Sequence, residues 1–117
     1  MGRKILIVDD AQIDRSNLEK IVSEAGHQTL LADSGIQAIE RAKRDKPDLI
    51  LMDVNMPDMD GFAATRKLKA DDATKGIPIV FVTSKNQKAD LAWGQMLGAK
   101  GFIIKPYSKE QILAQLN

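Results

Sequence analysis

Four short, unbroken runs of apolar residues constrain the fold of this chain more than any other feature. They cover residues 5–8, 49–52, 79–82 and 102–104, and each is followed by polar or charged residues. Strands of a parallel sheet are covered on both faces and therefore appear in a sequence as continuous apolar runs. Segments with helical spacing separate the runs, so the sequence predicts strands and helices in strict alternation.

The segments between these runs also carry the signals that begin and end helices. We predict helix one over about residues 12–25, a weaker strand over about 28–32, and helix two between a cap at Ser34 and Pro47. Helix three is predicted to start near Gly61. Helix one has Ile13, Leu18, Ile21, Val22 and Ala25 on one face, and helix two has the apolar residues Ile36, Ala38, Ile39 and Ala42. Helix three is predicted to direct Phe62, Ala63 and Leu68 inward.

Two Ser-x-x-Gln sequences, at residues 84–87 and 108–111, have the pattern of a capping box. They predict that helix four starts just after Thr83 and that helix five starts after Lys105-Pro106 and reaches the chain terminus. Five β/α units in alternation place the chain in the α/β class, with a parallel sheet, helices on both faces and right-handed crossovers. With 117 residues, we expect one domain over residues 1–117.

Composition excludes several classes of function. Seventeen basic and sixteen acidic residues leave a formal charge of +1, which does not suggest a nucleic-acid partner. Zero cysteines exclude a disulfide scaffold or a thiolate metal site, and the apolar runs are far below membrane-spanning length. The charged start leads into only four apolar residues, too few for a signal peptide. We therefore expect a cytoplasmic protein without a membrane or nucleic-acid partner.

Polar side chains follow the predicted strands at one edge of the sheet, where open α/β folds bind ligands. Asp9 and Asp10 follow the first apolar run, and Asp53 follows the second. Thr83 follows the third run, and Lys105 follows the fourth. Adjacent carboxylates repel each other, and proton uptake or a cation must relieve that repulsion. All-oxygen ligands at a partly solvated site suit Mg²⁺, with Mn²⁺ as an alternative. Lys105 and Thr83 would supply a charge and a hydroxyl donor for a phosphoryl group.

Together these positions resemble the receiver domain of bacterial two-component response regulators, and the resemblance covers the whole chain. The matching motifs are Asp9-Asp10, Asp53 with Met56-Pro57 and Asp60-Gly61, Thr83, and Lys105-Pro106. The resemblance implies a flavodoxin-like, doubly wound parallel sheet of five strands in the order 2-1-3-4-5, with five helices.

The resemblance also implies a metal-dependent phosphoacceptor site. Asp53 would accept a phosphoryl group from the phosphohistidine of a histidine kinase or phosphotransfer domain. Asp10 and Asp53 would bind Mg²⁺ together with the backbone carbonyl of Asn55, and Asp9 would hold a metal-bound water.

Signal output is implied in the same way. Thr83 and Lys105 would grip the phosphoryl oxygens, and Phe102 falls at the family's switch aromatic position, where tyrosine is frequent. The surface formed by helix four, strand five and helix five would then change and control the binding of an unknown downstream protein. The chain is expected to be a monomer or weak dimer and to dephosphorylate itself.

A narrower resemblance rests on Trp93-Gly94, Gly98-Ala99 and Lys105-Pro106-Tyr107. It points to stand-alone receivers of chemotaxis-like pathways that control pilus-driven twitching or phototaxis. A receiver cut from a longer regulator remains equally open.

Two other classes compete with the receiver. Asp53 could be the nucleophile of a haloacid-dehalogenase-type phosphohydrolase, but that family places a second Asp two residues after its nucleophile, where this chain has Asn55. A flavodoxin-like cofactor site needs a Ser/Thr/Gly-rich phosphate loop after strand one. Residues 9–12, Asp-Asp-Ala-Gln, would repel a phosphate there. The receiver is therefore preferred.

Overall fold

Strands and helices alternate throughout residues 2–116, the part of the chain that the computed structural model describes. The strands form one parallel sheet in the order β2-β1-β3-β4-β5. The predicted α/β class and strand order are therefore confirmed. The elements are β1 Lys4–Val8, α1 Gln12–Glu24, β2 Gln28–Ala32, α2 Gly35–Asp45, β3 Leu49–Met52, α3 Gly61–Ala70, β4 Ile79–Thr83, α4 Lys88–Met96, β5 Gly101–Ile104 and α5 Lys109–Leu113.

Both faces of the sheet are buried, which explains why the strands are apolar without alternation. Leu6 and Val8 of β1 lie in the cluster that α2 and α3 cover, whereas Ile5 and Ile7 lie in the cluster that α1 and α5 cover. Full burial of each such side chain contributes roughly 1.5–3 kcal/mol. The sheet is thus a rigid support for the loops at its carboxyl edge.

Helix α4 begins later than the Ser84 capping pattern predicted, and that prediction is wrong. The helix starts at Lys88 with Gln87 as its N-cap residue, and the Gln87 backbone N–H donates to the Asp90 carboxylate at 3.2 Å. The predicted capping box would pair Ser84 with the Gln87 side chain. In the structure, the Asp90 side chain instead binds the backbone of Gln87. The capping box at Ser108 and Gln111 is present, with both reciprocal hydrogen bonds. However, α5 ends at Leu113, short of the predicted terminus, and Asn117 lies outside the described residues.

The apolar residues named for the first three helices are not all buried. Ile13 is 76% exposed and Ile36 is 55% exposed, because both lie in the first turn of their helices, at the edge of the sheet. Ala25, at the end of α1, is also exposed. In α3, Ala63 is only half-buried, and the buried residues are Gly61, Ala64, Thr65 and Leu68. None of the helices within residues 2–116 combines the length and apolarity needed to cross a membrane.

Candidate functional site

The carboxyl edge of the sheet collects the polar residues that the sequence pointed to. Asp9 directly follows β1, Asp53 follows β3, Thr83 ends β4, and Lys105 follows β5. These strands are neighbours in the sheet, so their ends meet in one place. Asp9 and Thr83 are fully buried, Asp53 is 6% exposed, and Asp10 is exposed to solvent.

Three carboxylates form a cluster with the geometry of a cation site. Asp9, Asp10 and Asp53 each contribute a carboxylate oxygen, and these oxygens lie within 4.8 Å of one another. The all-oxygen donor set fits a hard divalent cation, and the exposure of Asp10 leaves room for the water ligands that Mg²⁺ retains. The backbone carbonyl of Asn55, in the loop after β3, stays a predicted further ligand.

The two oxygens of the Asp53 carboxylate have different surroundings. Oδ1 accepts hydrogen bonds from the backbone N–H groups of Val54, at 2.7 Å, and Asn55, at 3.3 Å. Oδ2 faces the Lys105 ammonium, with Nζ at 3.3 Å. The loop is further held because the Gly61 backbone N–H donates to the Val54 carbonyl at 2.9 Å, and a Cβ at Gly61 would collide with the Asp53 backbone. The start of α3 therefore fixes the Asp53 loop.

Lys105 is the cation shared by the site. Its Nζ lies 2.9 Å from Asp9 Oδ2, 3.0 Å from Asp14 Oδ2 and 3.3 Å from Asp53 Oδ2. Burial lowers the pKa of Lys105, but the hydrogen bonds to Asp9 and Asp14 outweigh it, so the pKa lies well above its usual value. Lys105 is therefore charged at any physiological pH. Its peptide bond to Pro106 is cis.

Burial raises the pKa of the Asp9 carboxyl, although the hydrogen bonds from Lys105 and from the Ala11 backbone N–H act in the opposite direction. The neighbouring Asp53 charge raises it further. Ionised Asp9 is thus only partly compensated by Lys105, and a divalent cation beside it would relieve the remaining cost.

Sequence reasoning missed Asp14. It lies in the first turn of α1, and its side chain is 42% exposed while it pairs with Lys105. The available signal was its position: a helix that starts at Gln12, three residues after Asp9, must bring its first turn close to the same edge of the sheet.

Thr83 and Asn55 lie at the opposite border of the site. The Thr83 carbonyl accepts from the Lys105 backbone N–H at 2.8 Å, and its Oγ1 accepts from the Lys85 backbone N–H at 3.3 Å. The Asn55 side chain approaches Ser84, with Nδ2 3.4 Å from Oγ. The loop after β4 is therefore linked both to Lys105 and to the Asp53 loop.

Phe102 lies apart from the carboxylates, in β5 next to Phe81 of β4. The two ring centroids are 5.7 Å apart, and a Cβ at Gly94 would lie 2.9 Å from Phe102 Cδ2. The ring thus already packs between β4 and α4, partly buried, and any larger residue at position 94 would displace it.

Fold and site together define a signalling receiver of the two-component type, and comparison with known proteins agrees. The chain belongs to the response regulator receiver domain family, whose model matches residues 5–117.

Individual relatives show where in the family similar chains occur. Protein PilH of Pseudomonas aeruginosa is 40% identical over 114 residues, which cover 97% of this chain and 94% of PilH. The structure of chemotaxis protein CheY4 of Vibrio cholerae has a TM-score of 0.92 and 30% identity, covering 99% of this chain and 97% of that one. A receiver domain of a sensor histidine kinase from Pseudomonas aeruginosa, with magnesium in its active-site cleft, has a TM-score of 0.90 and 29% identity, covering 99% and 95%.

These comparisons confirm the resemblance to receivers, including stand-alone ones related to PilH and CheY. They give no support to the phosphohydrolase alternative. Receiver domains bind Mg²⁺ in an acidic pocket, and the Asp9, Asp10 and Asp53 cluster is such a pocket. The roles of the individual residues stay predictions.

Replacing Asp10 by Asn is expected to stabilise the metal-free protein. It removes one of three mutually repelling carboxylates and breaks no ion pair, since none within residues 2–116 involves Asp10. Because Asp10 is exposed and screened, we expect a gain of up to about 1 kcal/mol in the free energy of unfolding, measured by urea melts in EDTA. With a dissociation constant of about 1 mM, 10 mM Mg²⁺ would stabilise the wild type by roughly 1.4 kcal/mol and the variant far less.

Asp33→Asn is the matched control, because Asp33 directly follows β2 at the same edge but is not part of the cluster. It should leave both the metal-free stability and the Mg²⁺ response unchanged. A wild type that is more stable than Asp10→Asn in EDTA would contradict repulsion within the cluster.

Proposed function

We propose that this protein is a phosphoacceptor receiver that takes a phosphoryl group from the phosphohistidine of a histidine kinase or phosphotransfer domain onto Asp53, in a Mg²⁺-dependent reaction. The observation that carries the proposal is the Asp53 carboxylate, buried beside two further carboxylates and facing the Lys105 ammonium. Residues 1–117 act as one cytoplasmic signalling domain, which catalyses only its own phosphorylation and dephosphorylation. The test is incubation with Mg²⁺ and acetyl phosphate, read by intact mass.

The reaction requires little covalent chemistry from the protein. A carboxylate oxygen of Asp53 forms the new bond to phosphorus as the bond from phosphorus to the donor nitrogen breaks, and the imidazole keeps that electron pair. The transition state is loose, so positioning and charge neutralisation account for most of the catalysis. Lys105 supplies a fixed positive charge beside Asp53, and the Thr83 hydroxyl is a donor for a phosphoryl oxygen.

Mg²⁺, or Mn²⁺ in its place, would supply the remaining neutralisation of charge. Asp10, Asp53 and the Asn55 carbonyl would hold the ion directly, and Asp9 would hold a water on it. Metal binding also offsets the cost of keeping Asp9 ionised inside the protein, where burial raises its pKa.

The output is a change in the surface formed by α4, β5 and α5, through Thr83 and Phe102. The downstream partner is a protein, and the receiver acts as a monomer or weak dimer. Its similarity to PilH and to CheY proteins supports a place in a chemotaxis-like pathway that controls pili.

Self-dephosphorylation is expected to depend on Asn55 and Lys85. Asn55 is exposed two residues after Asp53, and half-buried Lys85 follows Thr83 by two, so both border the approach of water to an aspartyl phosphate. Lys85→Ala should change the decay rate of phosphoprotein from which the donor has been removed. Lys88→Ala, which removes an exposed lysine from the first position of α4, is the control. Decay that is unchanged by substitution at both Asn55 and Lys85 would exclude them as determinants of lifetime.

A further inference from the structure

Asp14 is a fourth carboxylate at the site that the proposed metal and phosphoryl chemistry does not use. Its Oδ2 lies 3.0 Å from Lys105 Nζ, nearly as close as Asp9 at 2.9 Å and closer than Asp53 at 3.3 Å. Unlike those two residues, Asp14 does not belong to the carboxylate group that converges on a common point. It therefore binds the ammonium from outside the cation cluster.

The first turn of α1, which carries Asp14, is held against the end of β1. The Arg15 guanidinium donates to the Asp9 carbonyl at 2.7 Å, and the Ala11 backbone N–H donates to Asp9 Oδ1 at 2.9 Å. These two bonds tie the first turn of α1 to the end of β1. Lys105 is only 17% exposed, so its ammonium cannot easily move to bulk solvent.

A divalent cation and Lys105 compete for the same carboxylates. Both Asp9 and Asp53 pair with Lys105 and also belong to the cation cluster. When a cation draws on these oxygens it also repels the ammonium, and like charges in a partly buried site are costly. Among residues 2–116, Asp14 is the remaining ion-pair partner that can hold Lys105 in place.

We infer that Asp14 is a positioning residue: it holds the Lys105 ammonium when a divalent cation draws on the Asp9 and Asp53 oxygens, reduces the competition of Lys105 for those oxygens, and thereby strengthens cation binding. The inference rests on the proposed function, because it assigns Asp14 a part in the same Mg²⁺-dependent site. The effect of Asp14 must therefore pass through Lys105.

A double-mutant cycle with Mg²⁺ as the probe tests this coupling. Dissociation constants are measured by calorimetric titration for wild type, Asp14→Asn, Lys105→Met and the double variant. Asp14→Asn is expected to weaken Mg²⁺ binding by roughly three- to tenfold when Lys105 is present. Residues that contact metal ligands but not the metal usually change metal affinity by about 10–100-fold, so this effect is small for its kind. In the Lys105→Met background, the same substitution should change the constant less than about twofold, because only a screened, partly exposed charge is lost.

Two further variants separate positioning from a general loss of negative charge. Glu24→Gln removes the same charge from the far end of α1, where Glu24 forms no ion pair with any described residue, and should bind Mg²⁺ like the wild type. Asp14→Glu keeps the carboxylate and should retain most of the affinity. Urea melts in EDTA show whether each variant is folded.

The outcomes are distinguishable. The role of Asp14 would be overturned if Asp14→Asn weakened Mg²⁺ binding equally with and without Lys105. It would also be overturned if the wild type bound Mg²⁺ and Asp14→Asn bound it equally well. Either result would leave the proposed function intact. A wild type that does not bind Mg²⁺ would overturn the proposed function, and the inference with it.

Discussion

Asp53→Asn is expected to abolish the phosphoryl adduct that acetyl phosphate forms on the wild type, because an amide oxygen is a poor nucleophile and carries no charge for the cation and Lys105 to orient. Excess EDTA should reduce adduct formation on the wild type to a comparable level. Lys105→Met should slow the reaction by roughly 10²–10³-fold, the usual cost of removing one fixed electrostatic contact to a transition state. Intact mass against time measures all three effects.

Adduct formation on Asp33→Asn and Asp10→Asn is compared with that on the wild type. Asp33 follows a strand at the same edge but lies outside the cluster, so its variant should react like the wild type. Asp10→Asn should need a higher Mg²⁺ concentration. An adduct on Asp53→Asn at the wild-type level, or one that persists in EDTA, would show that Asp53 is not the metal-dependent acceptor.

The sheet could be predicted from the sequence because strands that are buried on both faces are apolar at every position. The run from Leu49 to Met52 has no polar residue, since α1 and α5 cover one face of β3 and α2 and α3 cover the other. The site followed from the same logic. A polar residue that ends such a run must emerge at the carboxyl edge, and neighbouring strands bring these residues together.

Features that depend on contacts between distant segments could not be predicted in this way. Ile13 and Ile36 fit the apolar periodicity of their helices, but both side chains are exposed to solvent in the first turn. The sequence predicts the start of α4 wrongly because Ser84 with Gln87 and Gln87 with Asp90 are two competing capping pairs. The structure has the pair Gln87 and Asp90. Asp14 looks like an ordinary surface acid until Lys105, 91 residues later, is placed beside it.

The proposed route from Asp53 to a partner surface passes through Thr83 and Phe102. Thr83 ends β4 and connects to Lys105 through a backbone hydrogen bond, while Phe102 packs on Phe81 of the same strand and closely approaches Gly94 of α4. The ring has no hydroxyl, so burying it carries no polar cost. We therefore predict a small free-energy gap between the resting and active arrangements.

Trp93, next to Gly94 on α4, is expected to report on this route. The Arg66 guanidinium of α3 lies 5.5 Å from the centroid of the indole ring, so a movement of α4 relative to α3 changes the charge close to the indole. Beryllofluoride with Mg²⁺, which imitates the phosphoryl group on Asp53, should therefore change Trp93 emission in the wild type. Asp53→Asn should show no change.

Thr83→Ala is expected to lose most of that emission change. A hydrogen bond to a charged group contributes about 1.5–3 kcal/mol, so removing the hydroxyl shifts the two-state equilibrium by roughly ten- to hundredfold toward the resting arrangement. Thr83→Ser keeps the hydroxyl and should keep the response, which separates the hydrogen bond from the packing of the buried side chain. If Thr83→Ala at saturating beryllofluoride gave the full wild-type change, the signal would have to reach α4 without Thr83, and Lys105 would become the remaining link between Asp53 and β5.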